Sequence, residues 1–268
     1  MGIALWIEHL RPGKEAGVRN PPQPSLGQFP SITAVFPAYN DGGTIASMVL
    51  AAIAALRQAT QDYEVVVVND GSVDYTGAVL EELARSVPML RVIHHNGNQG
   101  YGAALRAGFS AARKDWIFYT DGDAQYNPLE LERLVQAWTE GVDIVNGHKV
   151  SRQDSCHRLL LGFLYNRTAQ ILFGVRIRDV NCDFRLFRRA ILDAVSLESI
   201  SGTIGLEMVK KWQDLGFVFR EAPVNHFFRR YGRSQFFQFR RLFLSLRRLA
   251  ILWWKLVLRR EHLQNRKP

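Results

Sequence analysis

The chain has 268 residues, 47% of them hydrophobic, which is enough to bury one substantial core. Its two cysteines, Cys156 and Cys182, exclude a disulfide framework and form no CxxC metal pair, so a reducing compartment is expected. The net charge of +9 is unevenly placed: of 34 Lys and Arg, twelve fall in residues 226–268 beside a single acid, Glu261, so the body is near neutral and the tail is cationic.

Residues 1–28 begin with an apolar stretch broken by Glu8 and His9 and continue rich in Pro, Gly and charge. This is not a secretory signal and reads as a mobile leader. From residue 31 the pattern alternates. Short β-rich runs at 31–36, 63–68, 90–94, 116–120 and 142–145 are separated by helical patterns at 44–56, 74–87, 101–113 and 128–140. Runs such as Val65 to Val68 are apolar on both faces, as parallel strands covered on both sides are. The rhythm predicts an α/β fold with a doubly wound, mostly parallel sheet. After residue 150 it loosens into helices at 157–173 and 204–215 and a strand at 217–224.

Ligands of an open parallel sheet bind beyond the carboxyl ends of its strands. The first strand is followed by Pro37-Ala38-Tyr39-Asn40-Asp41, the second by Asn69-Asp70-Gly71-Ser72, and the fourth by Asp121-Gly122-Asp123-Ala124-Gln125. Singly these are turn compositions. Together they place carboxylates at three ends of one sheet edge. Two carboxylates and a Gln carbonyl are hard oxygen donors suited to Mg²⁺ or Mn²⁺, ions that share their shell with substrate phosphates. A nucleotide-sugar needs such an ion to neutralise its departing nucleoside diphosphate, and Asp70 is placed to hydrogen-bond base or ribose. A dinucleotide fingerprint at Gly100-Tyr101-Gly102 is rejected, because Leu105 stands where the third glycine belongs and the motif follows the third strand. Neighbouring His94 and His95 face opposite ways and share no metal.

These residues carry a resemblance. Residues 37–41, 70–76, 98–108 and 121–125 resemble the nucleotide-binding motifs of family 2 glycosyltransferases with the GT-A fold. Asp179-Val180-Asn181-Cys182-Asp183-Phe184-Arg185 and Arg229-Arg230-Tyr231-Gly232-Arg233-Ser234 are similar to segments of the dolichyl-phosphate mannose synthase branch, which transfers sugar to polyprenyl phosphates. The resemblance covers residues 31–237. It implies that Pro37, Tyr39, Asp41, Asp70, Gly100 and Asp121 line the nucleotide-sugar site, that Asp121, Asp123 and Gln125 hold the metal, and that Lys149, Arg158, Arg229 and Ser234 hold the acceptor phosphate. Asp123, Asp179 and Arg229 are the expected catalytic group, and the transfer is expected to invert the anomeric carbon. Three positions depart from the branch: Asp183 replaces a usual Gly, Gln235 a Lys, and Lys149 an Arg, which loses a bidentate fork.

A phosphate acceptor is already ionised at neutral pH and needs cations more than a base. A sugar hydroxyl on a polysaccharide or glycolipid is the alternative acceptor, with Asp179 or Glu207 as base. In residues 236–258, Arg240, Arg241, Arg247, Arg248 and Lys255 recur at seven-residue spacing against a broad face of Phe, Leu, Ile and Trp. The longest apolar run there, residues 249–254, is far short of the about 20 residues that span a bilayer. The expectation is a basic amphipathic tail over 236–268, C-terminal to a glycosyltransferase domain over 29–235. That tail either lies in an anionic membrane interface or packs on the body. The protein is expected to be peripheral, on the cytoplasmic face, with a lipid-linked phosphate as acceptor and room for an integral-membrane partner. Nucleic acid is not an expected partner, since a nucleic-acid-binding role for the tail leaves the strand-end carboxylates without purpose.

Overall fold

The computed structural model describes residue 27 and residues 29–152, 156–228 and 239–264. Apart from Gly27, the leader expected over 1–28 lies outside the described residues. The elements run β1 (Ile32–Ala38), α1 (Ile45–Ala59), β2 (Tyr63–Asn69), α2 (Thr76–Ser86), β3 (Leu90–His94), α3 (Tyr101–Ala111), β4 (Trp116–Thr120), a 3₁₀ turn (Pro128–Glu130), α4 (Leu131–Ala137) and β5 (Ile144–Arg152). They continue with α5 (Cys156–Phe173), β6 (Phe184–Arg188), α6 (Ile191–Ala194), α7 (Ile204–Asp214), β7 (Phe219–His226), α8 (Phe239–Trp253), a π-helical turn (Trp254–Leu258) and α9 (Glu261–Gln264).

The strands form one seven-stranded sheet in the order β3-β2-β1-β4-β6-β5-β7. All pairings are parallel except those of β6, which runs antiparallel between β4 and β5. This is the expected doubly wound, mostly parallel sheet with one correction: no strand was expected at 184–188. The expected strand at 142–145 is also longer, reaching Arg152, and the expected helix over 128–140 is a 3₁₀ turn followed by a helix that stops at Ala137.

Strand alternation divides the core cleanly. Ala34, Phe36, Val65, Val67, Trp116 and Phe118 face one side, against α1 and α4. Val35, Val66, Val68, Ile117 and Tyr119 face the other, against α3 and α7. Both faces are dry, which is why β2 reads as an unbroken apolar run. A third cluster joins Ala169 and Phe173 of α5 to Leu206 and Val209 of α7 and to Leu252 and Leu256 at the end of the chain. The expected tail therefore meets the body along part of its length; its start at 236–238 lies outside the described residues.

Helix α3 lies close on β1 and β2 because Gly108 offers no side chain at the contact. A Cβ there would fall 2.4 Å from Val35 Cγ1 and 3.3 Å from Val68 Cγ2. Gly108→Ala is expected to destabilise the fold by about 1–3 kcal/mol through overpacking. Adding Val35→Ala should recover part of that loss. Urea denaturation of the three variants measures both effects, and a neutral Gly108→Ala would show that the contact gives way.

Candidate active site

The sheet opens at its carboxyl edge between β1 and β4. Pairing of β1 with β2 continues to Ala38↔Asn69, but pairing with β4 ends at Val35↔Tyr119. Pro37 falls where the strands diverge and no ladder partner is required of its missing N–H. Since β2 and β4 lie on opposite sides of β1, this is the topological switch point at which a cleft forms.

The loops around the cleft are laced to one another. Asn40 adopts a left-handed backbone (φ 57°), its N–H donates to Ser72 Oγ at 3.0 Å, and its Oδ1 accepts the Val73 N–H at 2.9 Å. The Asp41 N–H donates to Thr76 Oγ1 at 2.9 Å, and Thr44 Oγ1 donates to the Gly122 carbonyl at 2.7 Å. The first, second and fourth strand ends are thus one hydrogen-bonded unit. Asp41 is buried, and its carboxylate accepts the Tyr39 N–H at 3.0 Å.

Asp70 is turned inward. Its Oδ1 accepts from His95 Nδ1 at 2.7 Å and from the Gln99 N–H at 2.9 Å, while Oδ2 accepts the Gly100 N–H at 2.9 Å. The carboxylate expected on base or ribose thus shapes the loop that starts α3. Gly100, at φ 103°, contributes conformation to that loop, its amide being bound to Asp70. The adjacent His94 faces away, between Asn69 Nδ2 at 3.0 Å and Glu81 Oε1 at 2.8 Å.

The Asp121–Gln125 turn closes on itself. Ala124 has φ 60°, a conformation that costs a residue bearing a Cβ about 1 kcal/mol or more. In return the Gln125 N–H reaches Asp123 Oδ1 at 3.0 Å. Gln125 Nε2 donates to the Phe227 carbonyl at 3.2 Å, which turns its own carbonyl oxygen into a separate acceptor. The buried Asp123, Asp121 and the Gln125 carbonyl are all hard oxygens, a donor set that fits Mg²⁺ or Mn²⁺. Among the described residues no group of three or more His, Cys, Asp or Glu is placed to hold a metal ion.

Tyr101, the first residue of α3, donates its hydroxyl to Asp121 Oδ1 at 2.8 Å. Burial, then the charges of Asp121 and Asp183, push that hydroxyl well above the usual phenol range. It stays a donor. Burial likewise pushes the Asp183 carboxyl up, against the pull of Arg185 and Lys149. Cys182 is buried among these residues and its thiol is pushed up to about 12, chiefly by burial, which makes it inert.

On the far side of the cleft, Lys149 Nζ donates to the Asn181 carbonyl at 2.7 Å and lies 3.5 Å from Asp179 Oδ2. Asp179 is buried and accepts from Asn166 Nδ2 at 3.1 Å. Arg185 anchors this segment from below. It is fully buried and donates to Asn146 Oδ1, to Tyr119 Oη at 2.9 Å, to the Gly205 carbonyl at 3.4 Å and to the Val180 carbonyl. The sequence marks Arg185 only as the last residue of the 179–185 segment, and nothing local to it signals burial. Glu207, the alternative base, is committed elsewhere: it accepts the N–H groups of Glu198 (2.9 Å) and Ser199 (2.8 Å) and pairs with Lys211 Nζ at 2.7 Å. Arg229 and Ser234 lie outside the described residues; Arg158 belongs to α5, but its side chain lies outside them too.

A switch-point cleft with an Asp-x-Asp turn on a mostly parallel sheet defines a GT-A-type fold. The family model for glycosyl transferase family 2 matches residues 33–196, and the chain belongs to that family. Similar curated proteins include an undecaprenyl-phosphate 4-deoxy-4-formamido-L-arabinose transferase of Pseudomonas fluorescens (strain Pf0-1), 37% identical over 61% of this chain and 48% of that protein. The protein of that name from Enterobacter sp. (strain 638) is 30% identical over 76% of this chain and 62% of its own length. The chain spans about half the length of most of the curated relatives it matches. Among solved structures, glucosyl-3-phosphoglycerate synthase from Mycobacterium tuberculosis, in complex with Mn²⁺, UDP-glucose and phosphoglyceric acid, superimposes with a TM-score of 0.62 at 17% identity, covering 84% of this chain and 79% of that one. At that identity the likeness is one of fold.

Removing the buried guanidinium would strand four acceptors. Arg185→Met is expected to destabilise the protein by about 3–5 kcal/mol, whereas Tyr119→Phe should cost about 1 kcal/mol. Equal denaturation midpoints for Arg185→Met and wild type would show that the acceptors find other donors.

Proposed function

We propose that the protein transfers a sugar, with inversion, from a GDP- or UDP-linked donor to a polyprenyl phosphate at a membrane surface. The observation that carries this reading is that the Asp121–Gln125 turn and the Lys149–Asp179 pair meet around Asp183, whose N–H donates to Tyr126 Oη at 3.3 Å and whose carboxyl is acted on by Lys149 and by Tyr101, the partner of Asp121. One wall suits a metal-bound diphosphate and the other suits an anionic acceptor. The undecaprenyl phosphate for which the curated relatives are named supports the acceptor class, and the Mn²⁺ and UDP-glucose in the Mycobacterium tuberculosis structure support the donor class.

Asp121, Asp123 and Gln125 would hold Mg²⁺ or Mn²⁺, which neutralises charge on the leaving diphosphate. Tyr101 orients Asp121 by its hydrogen bond. Asp70 keeps the Gln99–Gly100 amides in place, and Asp41 shapes the opposite rim. Lys149, steadied by the Asn181 carbonyl, presents its ammonium to the acceptor phosphate, with Arg158, Arg229 and Ser234 as further phosphate-binding groups. Asp179 fixes Lys149. The acceptor is ionised near neutral pH, so no base need remove a proton before attack.

A second reading, transfer to a sugar hydroxyl, draws on Asp183, a carboxylate in the cleft where the resembling branch has Gly. The two readings separate with one labelled donor panel offered to detergent-extracted undecaprenyl phosphate and to soluble glycans. Lipid product alone is expected. Glycan product alone would overturn the polyprenyl reading.

Asp123→Ala should lower transfer by at least about a hundredfold with the melting temperature held, since it removes a group acting on transition-state charge. EDTA should abolish wild-type activity, and Mn²⁺ or Mg²⁺ should restore it. Full turnover in chelator would remove the metal from the reaction.

The membrane part of the reading is supported by exposed apolar side chains on two neighbouring helices: Phe163, Leu164 and Ile171 of α5, and Leu246, Ile251 and Trp254 toward the chain end. The helices touch where Trp253 Nε1 donates to the Leu172 carbonyl at 2.8 Å. Exposed Arg247 and Arg248 adjoin this face and complement anionic lipid. No helix among the described residues is long and apolar enough to cross a membrane. We place the protein peripherally, on the cytoplasmic face, where an integral-membrane partner has access to it. Ile251→Glu/Trp254→Glu should release it from phosphatidylglycerol vesicles in flotation, with stability changed by less than about 0.5 kcal/mol because both side chains are exposed. Wild type that fails to float would overturn the membrane assignment.

A further inference from the structure

We propose that Glu198 and Lys255 are positioning residues for the donor site, through which the C-terminal helical segment braces the loop that backs the start of α3. The inference rests on the reading of the strand-end cleft as a nucleotide site.

The start of α3 does not hold its shape alone. Gly100 and Gly102 sit directly against the 199–200 backbone: a Cβ on Gly100 would fall 2.3 Å from the Ile200 carbonyl oxygen, and one on Gly102 2.3 Å from that of Ser199. The Gly102 N–H donates to the Ile200 carbonyl at 3.1 Å. On its cleft side the same turn gives the Gly100 amide to Asp70 and the Tyr101 hydroxyl to Asp121. A shift of residues 198–201 therefore moves the groups that orient both carboxylates.

The bracing loop is held from three directions. Arg106 of α3 donates to the Glu198 carbonyl at 3.2 Å. Glu207 of α7 takes the amides of Glu198 and Ser199. Lys255 Nζ, in the π-helical turn after α8, donates to Glu198 Oε2 at 2.9 Å, with Lys211 Nζ 3.8 Å from Oε1. The first two ties come from within the body. The third comes from the chain end, which is itself fastened by buried Leu252 and Leu256 and by His262 Nε2 on Asp214 Oδ2 at 2.8 Å. Between loop and chain end lies a cavity of about 280 Å³ lined by Ser196, Ser199, Thr203, Arg248, Lys255 and Leu256. The ion pair spans this gap. The pairing holds the Glu198 carboxyl below its ordinary range and raises the Lys255 ammonium, each chiefly through their mutual hydrogen bond.

Both side chains are partly exposed, so the link is a modest one. By reciprocity, a ligand that bound the chain end and changed donor affinity by some factor would have its own affinity changed by the donor by that same factor. Lys255→Met and Glu198→Gln in the full chain test the link. Each is expected to raise the dissociation constant for UDP or GDP with Mn²⁺ by about three- to fivefold in calorimetry, with the melting temperature held. Amide exchange of residues 99–102 should quicken in both. The double variant should lose no more than Glu198→Gln alone, because Lys255 acts through Glu198, and Lys255→Arg should retain wild-type affinity. Additive losses in the double variant, or exchange and affinity unchanged in Lys255→Met, would overturn the inference. If wild type bound no nucleoside diphosphate, the donor reading would fall, and unchanged exchange at residues 99–102 in Lys255→Met would still sink the brace on its own.

Discussion

A buried arginine organises the half of the molecule that sequence periodicity describes least well. Taking a guanidinium out of water costs several kcal/mol unless its donors are met. The fold meets those of Arg185 with Asn146 from β5, Tyr119 from β4 and the carbonyls of Val180 and Gly205. The antiparallel strand β6 delivers the side chain to that point. The fork then fixes, from one atom group, the segment bearing Asp179 and Asp183 and the first turn of α7. The rigid geometry suits arginine, since a lysine offers no planar fork.

The cleft above is built by the same economy. Its carboxylates are buried or half-buried, and an unmet buried charge is expensive, so backbone amides and side-chain donors from neighbouring loops meet them. Asp70 gathers His95, Gln99 and Gly100; Asp123 gathers Gln125; Asp179 gathers Asn166 and Lys149. The left-handed backbones of Asn40 and Ala124 stand at the turns that follow β1 and β4. Such preorganisation lets donors and acceptors act on charge without reorganising at the moment of reaction.

The end of the chain has two characters along one stretch. Leu252 and Leu256 enter a core cluster with α5 and α7, while Leu246, Ile251, Trp254 and Leu258 stay exposed. Packing on the body and offering an apolar face outward are therefore not alternatives here. The inward residues set the position of the segment, and Lys255 ties it to Glu198 of the loop that precedes α7.

The alternating rhythm of residues 31–145, the apolar run at Val65 to Val68 and the carboxylates after three strands were legible in the residues themselves. Hydrophobic period and turn chemistry are local properties, and a parallel sheet forces such strand ends onto one edge. Strand β6 was not legible, because Phe-Arg-Leu-Phe-Arg shows a charge at a position that only an internal set of acceptors makes habitable. Asp70 and Glu207 were read as groups facing ligand, yet their oxygens bind amides of the 99–100 and 198–199 segments. Which way a carboxylate points depends on donors distant in the chain. Sequence by itself determined the layered sheet, the chemistry gathered at its edge and the cationic end of the chain. Tertiary structure decided which charges orient the cleft and which remain to act in it, because hydrogen-bond satisfaction of a buried group is settled by neighbours that sequence order does not reveal.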